Sequence, residues 1–402
     1  MAVSQIDLNC FDSDATPFAT FQSHNQKVVF NRKGIFLTYL KTRNEKYTAQ
    51  KWRLLWSRDK GRTFEVLYES TNATNPAPLE TDEDDNLYLI YPDFTDGNSY
   101  FMKFAAEDEY ADPKTYVIPK SSGGKISMFY DEKRQLFYYF SNNGTLNLID
   151  RSANIVFSSK IIVPGKISSC EYPFIKVDTD GIVHAAWTTD MFGTFHYMSI
   201  QYMRSDNGGV SWRTMDGRSL LLPVISDHEG ASDMITTEEE LEYNTWLSDF
   251  TEADGKLHFA YRASPHPDYK VAMDDFFNGY QHYIRYDKKT GQKDFEIMGD
   301  HGGKEIKIAG FDGFFAKKDT SLYYISKQGL HIACIVSHDN GLSWQDHSIS
   351  DDTALSTRSI YAIGGCRKIT GDGYIIGSFT KRPQDIMDMF GISNAVFIRI
   401  KI

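Results

Sequence analysis

The sequence predicts an all-β fold, a β-propeller of seven blades with six as the alternative, formed as a single domain over residues 1–402. Three observations carry this. Short β-rich runs bounded by turn residues recur along the whole chain, with no long amphipathic helix between them. One eight-residue turn motif returns three times. The last repeat also ends one strand early, and an N-terminal strand is available to complete it.

The runs include Gly34–Leu40, Trp52–Trp56, Asn86–Tyr91, Leu136–Phe140, Ile182–Trp187, Lys256–Tyr261 and Ile332–Ser337. Each is rich in branched and aromatic residues, which suit a pleated, packed surface. The recurring turn reads S-x-D-x-G-x-T-F from Ser57 to Phe64 and S-x-D-x-G-x-S-W from Ser337 to Trp344. From Ser205 to Trp212 the same frame carries Asn207 at the carboxylate position. The Asp or Asn side chain accepts N–H groups inside a tight loop, and the glycine supplies positive φ. The closing Trp or Phe is expected to bury its ring between sheets.

Spacing supports the repeat. Ser57 to Ser205 is 148 residues, or three units of about 49, and Ser205 to Ser337 is 132, or two units with one enlarged. Blades are placed near residues 24–70, 75–119, 124–163, 170–223, 233–297, 305–350 and 357–402. In the last, Tyr374–Ser378 and Ala395–Ile400 read as second and third strands, and Val3–Cys10 would fill the outermost place and close the ring.

Composition narrows the partners. Forty-three basic against 54 acidic residues give a net charge of −11, which argues against nucleic acid. A local basic cleft can still receive an acidic sugar. No apolar run of about 18 residues is present, so no membrane span is expected. The start of the chain shows no signal-like stretch, which reads as cytoplasmic, or as secreted if a leader has been removed. Cys10, Cys170, Cys334 and Cys366 are far apart and read as isolated core or strand residues. No cofactor and no catalytic metal are expected. A structural Ca²⁺ at Asp190, Asp249 or the run Asp82–Asp85 is the alternative, although that run reads as a solvated hairpin turn.

Topology then sorts the candidate residues. In an up-and-down four-stranded blade the start of the innermost strand and the end of the second share one face, and the recurring turn lies on the other. Second-strand ends carry Lys41 with Arg43, Asp93, Asn142, Asp190, Arg262, Lys327, and Lys381 with Arg382. Innermost-strand starts carry His24, Asn25, Asn75, Tyr172, Trp246 and Arg358. Arginine suits a carboxylate through paired hydrogen bonds, aromatic rings suit sugar faces, and His24 suits general acid–base work. The structural alternatives are a hydrogen-bonding role for His24 and a salt bridge from Arg262 to Asp249 or Asp274. His196 and Tyr197 in the loop after Trp187 are weaker candidates, and His184 and His258 read as packed between sheets. Two long segments, Ser264–Gly279 and Lys381–Asn394, read as lids or as caps over the channel.

The segment Tyr202–Arg213, continuing through Asp216-Gly217 to Leu221-Leu222-Pro223, with Tyr261-Arg262 and His282–Asp287, resembles the BNR-repeat family. That family includes ulvan-type polysaccharide lyases, and hydrolases that remove rhamnose from glucuronic acid look related. The resemblance covers roughly residues 20–300. It implies a seven-bladed propeller with its site at the channel mouth. It also implies a catalytic tyrosine, an arginine sixteen residues later and a histidine from an earlier blade. Arg262 matches the arginine, whereas Trp246 stands at the tyrosine position and Asn75 at the histidine position. His24 could match the histidine on which the hydrolase branch depends.

The expected function is therefore a glycoside hydrolase or polysaccharide lyase acting on an acidic, uronate-containing, optionally rhamnosylated oligosaccharide. His24 and Arg262 would be catalytic, with Arg43, Asn75, Tyr172, Trp246, Arg358 and Arg382 binding substrate. The alternatives are a non-catalytic glycan- or protein-binding propeller and a sialidase, for which Arg53, Arg285 and Arg358 would have to converge.

Overall fold

The computed structural model describes residues 4–44, 49–192, 194, 196–265, 280–298, 313–328, 330–351, 359–382 and 391–402. Among them the regular elements are β-strands and one 3-10 turn of helix, Glu239–Glu242. No helix among these residues is long and apolar enough to cross a membrane.

In chain order, β1 (Ser4–Gln5) and β2 (Asp7–Ala15) precede an antiparallel meander of β3 (Val28–Asn31), β4 (Gly34–Thr42), β5 (Gln50–Ser57) and β6 (Glu65–Glu69). The next meander is β7 (Leu79–Thr81), β8 (Leu87–Asp93), β9 (Asn98–Phe104) and β10 (Lys114–Ile118). It is followed by β11 (Ile126–Asp131), β12 (Leu136–Ser141), β13 (Thr145–Asp150) and β14 (Ile155–Lys160). After the short β15 (Ile162–Val163) come β16 (Ser168–Val177), β17 (Val183–Met191), β18 (His196–Ser205), β19 (Trp212–Arg213) and β20 (Ser219–Leu220). Two short strands follow, β21 (Val224–Ile225) beside β15 and β22 (Asp233–Met234) beside β18. The remaining meanders begin with β23 (Asn244–Ala253), β24 (Lys256–Ser264), β25 (Tyr280–Asp287) and β26 (Lys293–Met298). Then come β27 (Gly313–Lys318), β28 (Ser321–Gln328), β29 (His331–Ser337) and β30 (Gln345–Ile349). The last are β31 (Ile360–Gly365), β32 (Tyr374–Lys381) and β33 (Ser393–Lys401).

Burial falls off across each meander. Residues 35–40 of the second strand β4 are all buried, so that strand is covered on both faces. The fourth strands β6, β10 and β14 are largely exposed and mix apolar with polar residues. This is why the inner runs read as nearly continuous apolar sequence.

The chain divides into two compact units. The first comprises Met1–Lys120, Asp312–Asp339 and Ser343–Ile402; the second comprises Ser121–Phe311 and Asn340–Leu342. The first unit holds cores built around Leu37, Ile376 and Phe397, around Trp52 and Leu89, and around Ile325 and Ile398. The second holds cores around Trp187 and Met203 and around Phe250 and Phe259.

The N-terminal strand pairs as expected but is displaced. Asp7–Ala15, rather than Val3–Cys10, lies antiparallel to β33, with Asp7 opposite Arg399 and Cys10 opposite Val396. Ser4–Gln5 instead runs parallel to β30. In the repeat placed at 233–297, the innermost-strand start expected at Trp246 falls in β23 (Asn244–Ala253). The first residues of that repeat form β22 on the edge of β18.

The three recurring turns join third strands to fourth. In the first, the Asp59 carboxylate accepts the Arg62 and Thr63 N–H groups and the Thr63 hydroxyl, while Ser57 Oγ accepts the Gly61 N–H at 2.8 Å. Asn207 and Asp339 repeat this on Ser211 and Ser343. Of the closing aromatics, Trp212 is buried, but Phe64 and Trp344 are only half-buried. Phe64 packs against Phe11 and Phe397 at centroid distances of 5.5 and 5.3 Å. Gly61 sits at φ +86°, where a Cβ would lie 2.2 Å from the Phe397 ring. Gly61→Ala is expected to cost about 2–4 kcal/mol through strain and overpacking. An unchanged denaturation midpoint would contradict this.

Candidate functional site

In the second unit, the site is built where the starts of β16 and β23 meet the ends of β17 and β24. Pairing between β16 and β17 skips Tyr172, because Glu171 faces Thr188 and Pro173 faces Trp187. Tyr172 takes φ +43° in that bulge. Non-glycine residues rarely adopt this region, and a bulge re-aims the side chain that carries it. The Tyr172 ring lies against Trp246, with centroids 4.0 Å apart, and both pack on Tyr197 at 5.6 and 5.2 Å. The Tyr172 and Tyr197 hydroxyls are 3.4 Å apart.

Trp246 and Arg262 are cross-strand partners, so they share one face of their sheet. Arg262 is 1% exposed. Of the two salt-bridge partners expected as alternatives for it, Asp249 is held by the Lys176 ammonium at 2.5 Å and Asp274 lies outside the described residues.

A polar rim lies over the aromatic floor. The Asn142 amide donates to Glu171 at 2.8 Å, and Lys125 Nζ lies 3.6 Å from the same carboxylate and 5.4 Å from the Tyr172 ring. Asp190 is the unusual member. Burial pushes its carboxyl up to about 7, the Glu171 charge adds to this, and Lys125 opposes it. Its Oδ1 is buried and has no hydrogen-bond partner among the described residues. A carboxyl in this condition exchanges its proton near neutrality.

Behind Arg262, on the opposite face of β24, lies a buried polar network. The Tyr261 hydroxyl donates to Glu240 at 2.9 Å, and the Tyr280 hydroxyl donates to its other oxygen at 3.2 Å. His282 places Nδ1 3.0 Å from Glu240 and Nε2 2.5 Å from Glu296. Burial pushes the Glu240 carboxyl up, yet the hydrogen bond and charge of His282 bring it below its ordinary value.

The first unit carries the remaining described candidates. His24 is buried in the turn-rich segment between β2 and β3. That segment is fixed by the Lys27 ammonium, which donates to the Gln22 and Asn25 carbonyls at 2.6 and 2.8 Å. Thr20 ties it to Thr380 and Ala362. Asn75 is buried ahead of β7, and Arg43 is exposed beyond β4. Arg382 is only 3% exposed: Nε donates to the Pro17 carbonyl at 3.0 Å, and the guanidinium lies over Tyr361 and Phe18 at 4.1 and 4.7 Å. Arg358, His266, Tyr269, Phe276, Phe277, Met387, Met389 and Phe390 lie outside the described residues.

His184 and His258 are buried mid-strand as expected, bonded to Tyr202 and Tyr283. His196 and Tyr197 start β18 rather than occupying a loop, and the His196 ring is bonded to the Tyr243 carbonyl. Asp82 accepts the Asp84 and Asn86 N–H groups and the Tyr88 hydroxyl, so its oxygens serve the turn itself. Among the described residues no group of three or more His, Cys, Asp or Glu side chains is placed to hold a metal. Arg53 and Arg285 are engaged by Glu69 and Asp294 at 2.5 and 2.8 Å.

Residues 19–297 match the profile described as "BNR repeat-containing family member". No curated protein sequence matches the chain. Among solved structures, an ulvan lyase bound to GlcA(1-4)Rha3S aligns at 11% identity over 96% of this chain and 94% of its own, with a TM-score of 0.62. A mutant of NanB sialidase from Streptococcus pneumoniae aligns at 10% identity over 97% of this chain and 71% of its own, with a TM-score of 0.42. The first of these likenesses shows a shared fold.

Proposed function

Since the chain belongs to the BNR repeat-containing family, we propose that it is a carbohydrate-active enzyme acting on an acidic, uronate-containing oligosaccharide. The observation that supports this best is a protonatable Asp190 beside the floor of Tyr172, Trp246 and Tyr197, with Arg262 next to Trp246. Aromatic rings suit a sugar face, and the guanidinium suits the uronate carboxylate. Asp190 would protonate the departing glycosidic oxygen, a step common to hydrolysis and elimination. The architecture we propose with it is one propeller domain of seven blades. The support is the run of successive meanders, with β2 as the fourth strand of the last. His24 as a catalytic group, and Arg43, Asn75, Arg358 and Arg382 as substrate contacts, remain separate proposals. His24→Ala with unchanged turnover would remove its catalytic role.

The test is a panel of uronate-containing polysaccharides, scored for unsaturated uronate absorbance and for new reducing ends. Absorbance marks a lyase; reducing ends without it mark a hydrolase. Activity should fall as pH rises through about 7, where Asp190 loses its proton, and Asp190→Asn should reduce turnover roughly 10²–10⁴-fold. The stability effect has its own sign. The fold raises this carboxyl above its unfolded value, so the fold favours the protonated form. That contribution is complete at low pH and is lost between about pH 4 and 7. Asp190→Asn should therefore stabilise the protein at pH 8 relative to pH 5, by about 1–2 kcal/mol given the partial exposure.

A second reading, a glycan-binding protein without catalysis, is favoured by the close packing of the floor. Tyr172 and Trp246 are 5% and 4% exposed. Binding without product across the whole panel would select it.

A further inference from the structure

We propose that the first unit carries a second, non-catalytic site for the oxyanion groups of an acidic saccharide chain, on the end that bears the first recurring turn. The site is a cleft of about 320 Å³ walled by the β3–β4 turn, the first recurring turn and the turn before β32. Clefts of roughly 300–1,000 Å³ are the usual size for small ligands. Its charged lining is Arg32, Lys33, Arg58, Lys60 and Arg399 against the single carboxylate of Asp372. Five cations to one anion is far from the average of a chain whose net charge is −11. A second cleft of about 460 Å³ adjoins it and shares Lys60 and Arg399, adding Arg62 against Asp7.

Two of the cations are already oriented. The Arg58 guanidinium lies over the Trp56 ring at 3.8 Å, and that indole is fixed by donating to the Lys33 carbonyl at 3.1 Å. The Arg399 guanidinium sits 4.7 Å from the Tyr374 ring and donates to the Lys60 carbonyl at 3.2 Å. A guanidinium backed by a ring loses little freedom when it meets a carboxylate or sulfate ester. Gly34 permits the narrow wall: a Cβ there would lie 2.2 Å from the Ser57 carbonyl oxygen.

Arg32, Lys60 and Arg399 are paired with Asp85, Asp372 and Asp7 at 2.7, 2.8 and 3.1 Å, whereas the contacts of Arg58 and Lys33 are looser. Arg58 reaches Glu65 and Glu109 only at 3.4 and 3.5 Å, and Lys33 reaches Glu109 at 3.9 Å. The side chains of Arg32, Arg58 and Lys60 are 75%, 60% and 70% exposed. Exposed pairs of this kind contribute little, so an oxyanion can replace them at small cost. The nearby Asp59 does not compete, because its oxygens accept hydrogen bonds within its own turn. Two joined clefts with a shared basic ridge suit an extended polyanion better than one phosphate ion.

The experiment is calorimetric titration of the full chain with a heparin-derived hexasaccharide, an oligogalacturonate hexamer and inorganic sulfate. Three proteins are compared: wild type, Arg58→Gln with Lys60→Gln, and Gly371→Phe. Gly371 lines the cleft, and a Cβ there meets nothing within 4 Å, so an added ring fills the cleft without pressing on the fold. We expect at least one hexamer to bind the wild type, at least tenfold weaker binding by the double variant, and loss of binding by Gly371→Phe at unchanged melting temperature. Activity on any uronate substrate should be unchanged in both variants, which separates this site from the one around Asp190. Wild-type affinity in both variants would overturn the proposal. So would sulfate binding as tightly as the hexamers, which would mark a simple ion site.

Discussion

Glu240→Ala is expected to destabilise the protein by about 3–5 kcal/mol, the range for removing one member of a buried ionic network. Glu240 is 1% exposed and accepts hydrogen bonds from Tyr261, Tyr280 and the Thr237 N–H, with His282 beside it. Its loss removes the buried carboxylate that two phenols and one side of an imidazole share. Glu240→Gln preserves the shape and an acceptor oxygen, so a smaller loss is expected. Urea denaturation of the three proteins measures both steps. A change under 1 kcal/mol for the alanine variant would show that water or neighbouring groups replace the carboxylate. The effect should also reach the candidate site. Tyr261 and Arg262 are consecutive on β24 and point to opposite faces, so the network grips the strand from behind while Arg262 stands beside Trp246.

Arg262→Ala is expected to lower kcat/KM on uronate substrates about a hundredfold or more, since truncating a buried charged partner costs on the order of 2–5 kcal/mol. Arg262→Lys keeps the charge but not the planar fork, and should recover part of that loss. The control is substrate chemistry. On a carboxyl-reduced analogue the wild type and Arg262→Ala should bind alike, because the guanidinium then has no carboxylate to meet. Equal losses on both ligands would assign Arg262 to structure alone, and no loss on either would remove it from the site.

Much of the strand order was legible from sequence, for a clear reason. Inner strands are covered on both faces and read as apolar runs, and the recurring turns bind their own N–H groups through residues four apart. The pairing of the N-terminal strand with β33 followed from an unfilled edge, although the register moved to Asp7–Ala15. The site was legible only in part. Trp246, Tyr172 and Arg262 could be placed by position along their strands, but the bulge that turns Tyr172 out of the ladder has no local signature. Glu240 was hidden more thoroughly. It closes the run Glu238-Glu239-Glu240, which reads as a solvated acidic surface, and only the fold shows that one of the three is buried. Asp190 was placed at a second-strand end and as an alternative Ca²⁺ ligand, not as a proton donor. Its raised proton affinity arises from burial and from Glu171, whose cross-strand partner is Thr188 rather than Asp190.

The pairing of β2 with β33 also governs when the protein can finish folding. Arg399 and Asp7 meet across 392 residues of chain. Translation at about 5–20 residues per second puts roughly 20–80 s between the appearance of these two strands. Throughout that interval β2 is a nascent edge awaiting its partner. Its sequence, Asp7-Leu8-Asn9-Cys10-Phe11-Asp12-Ser13-Asp14-Ala15, places three aspartates among its apolar residues. Charges on an unpaired edge discourage pairing with another chain, so the same acids that later bond Arg399, Tyr39 and Lys41 guard the strand against the wrong partner while it waits.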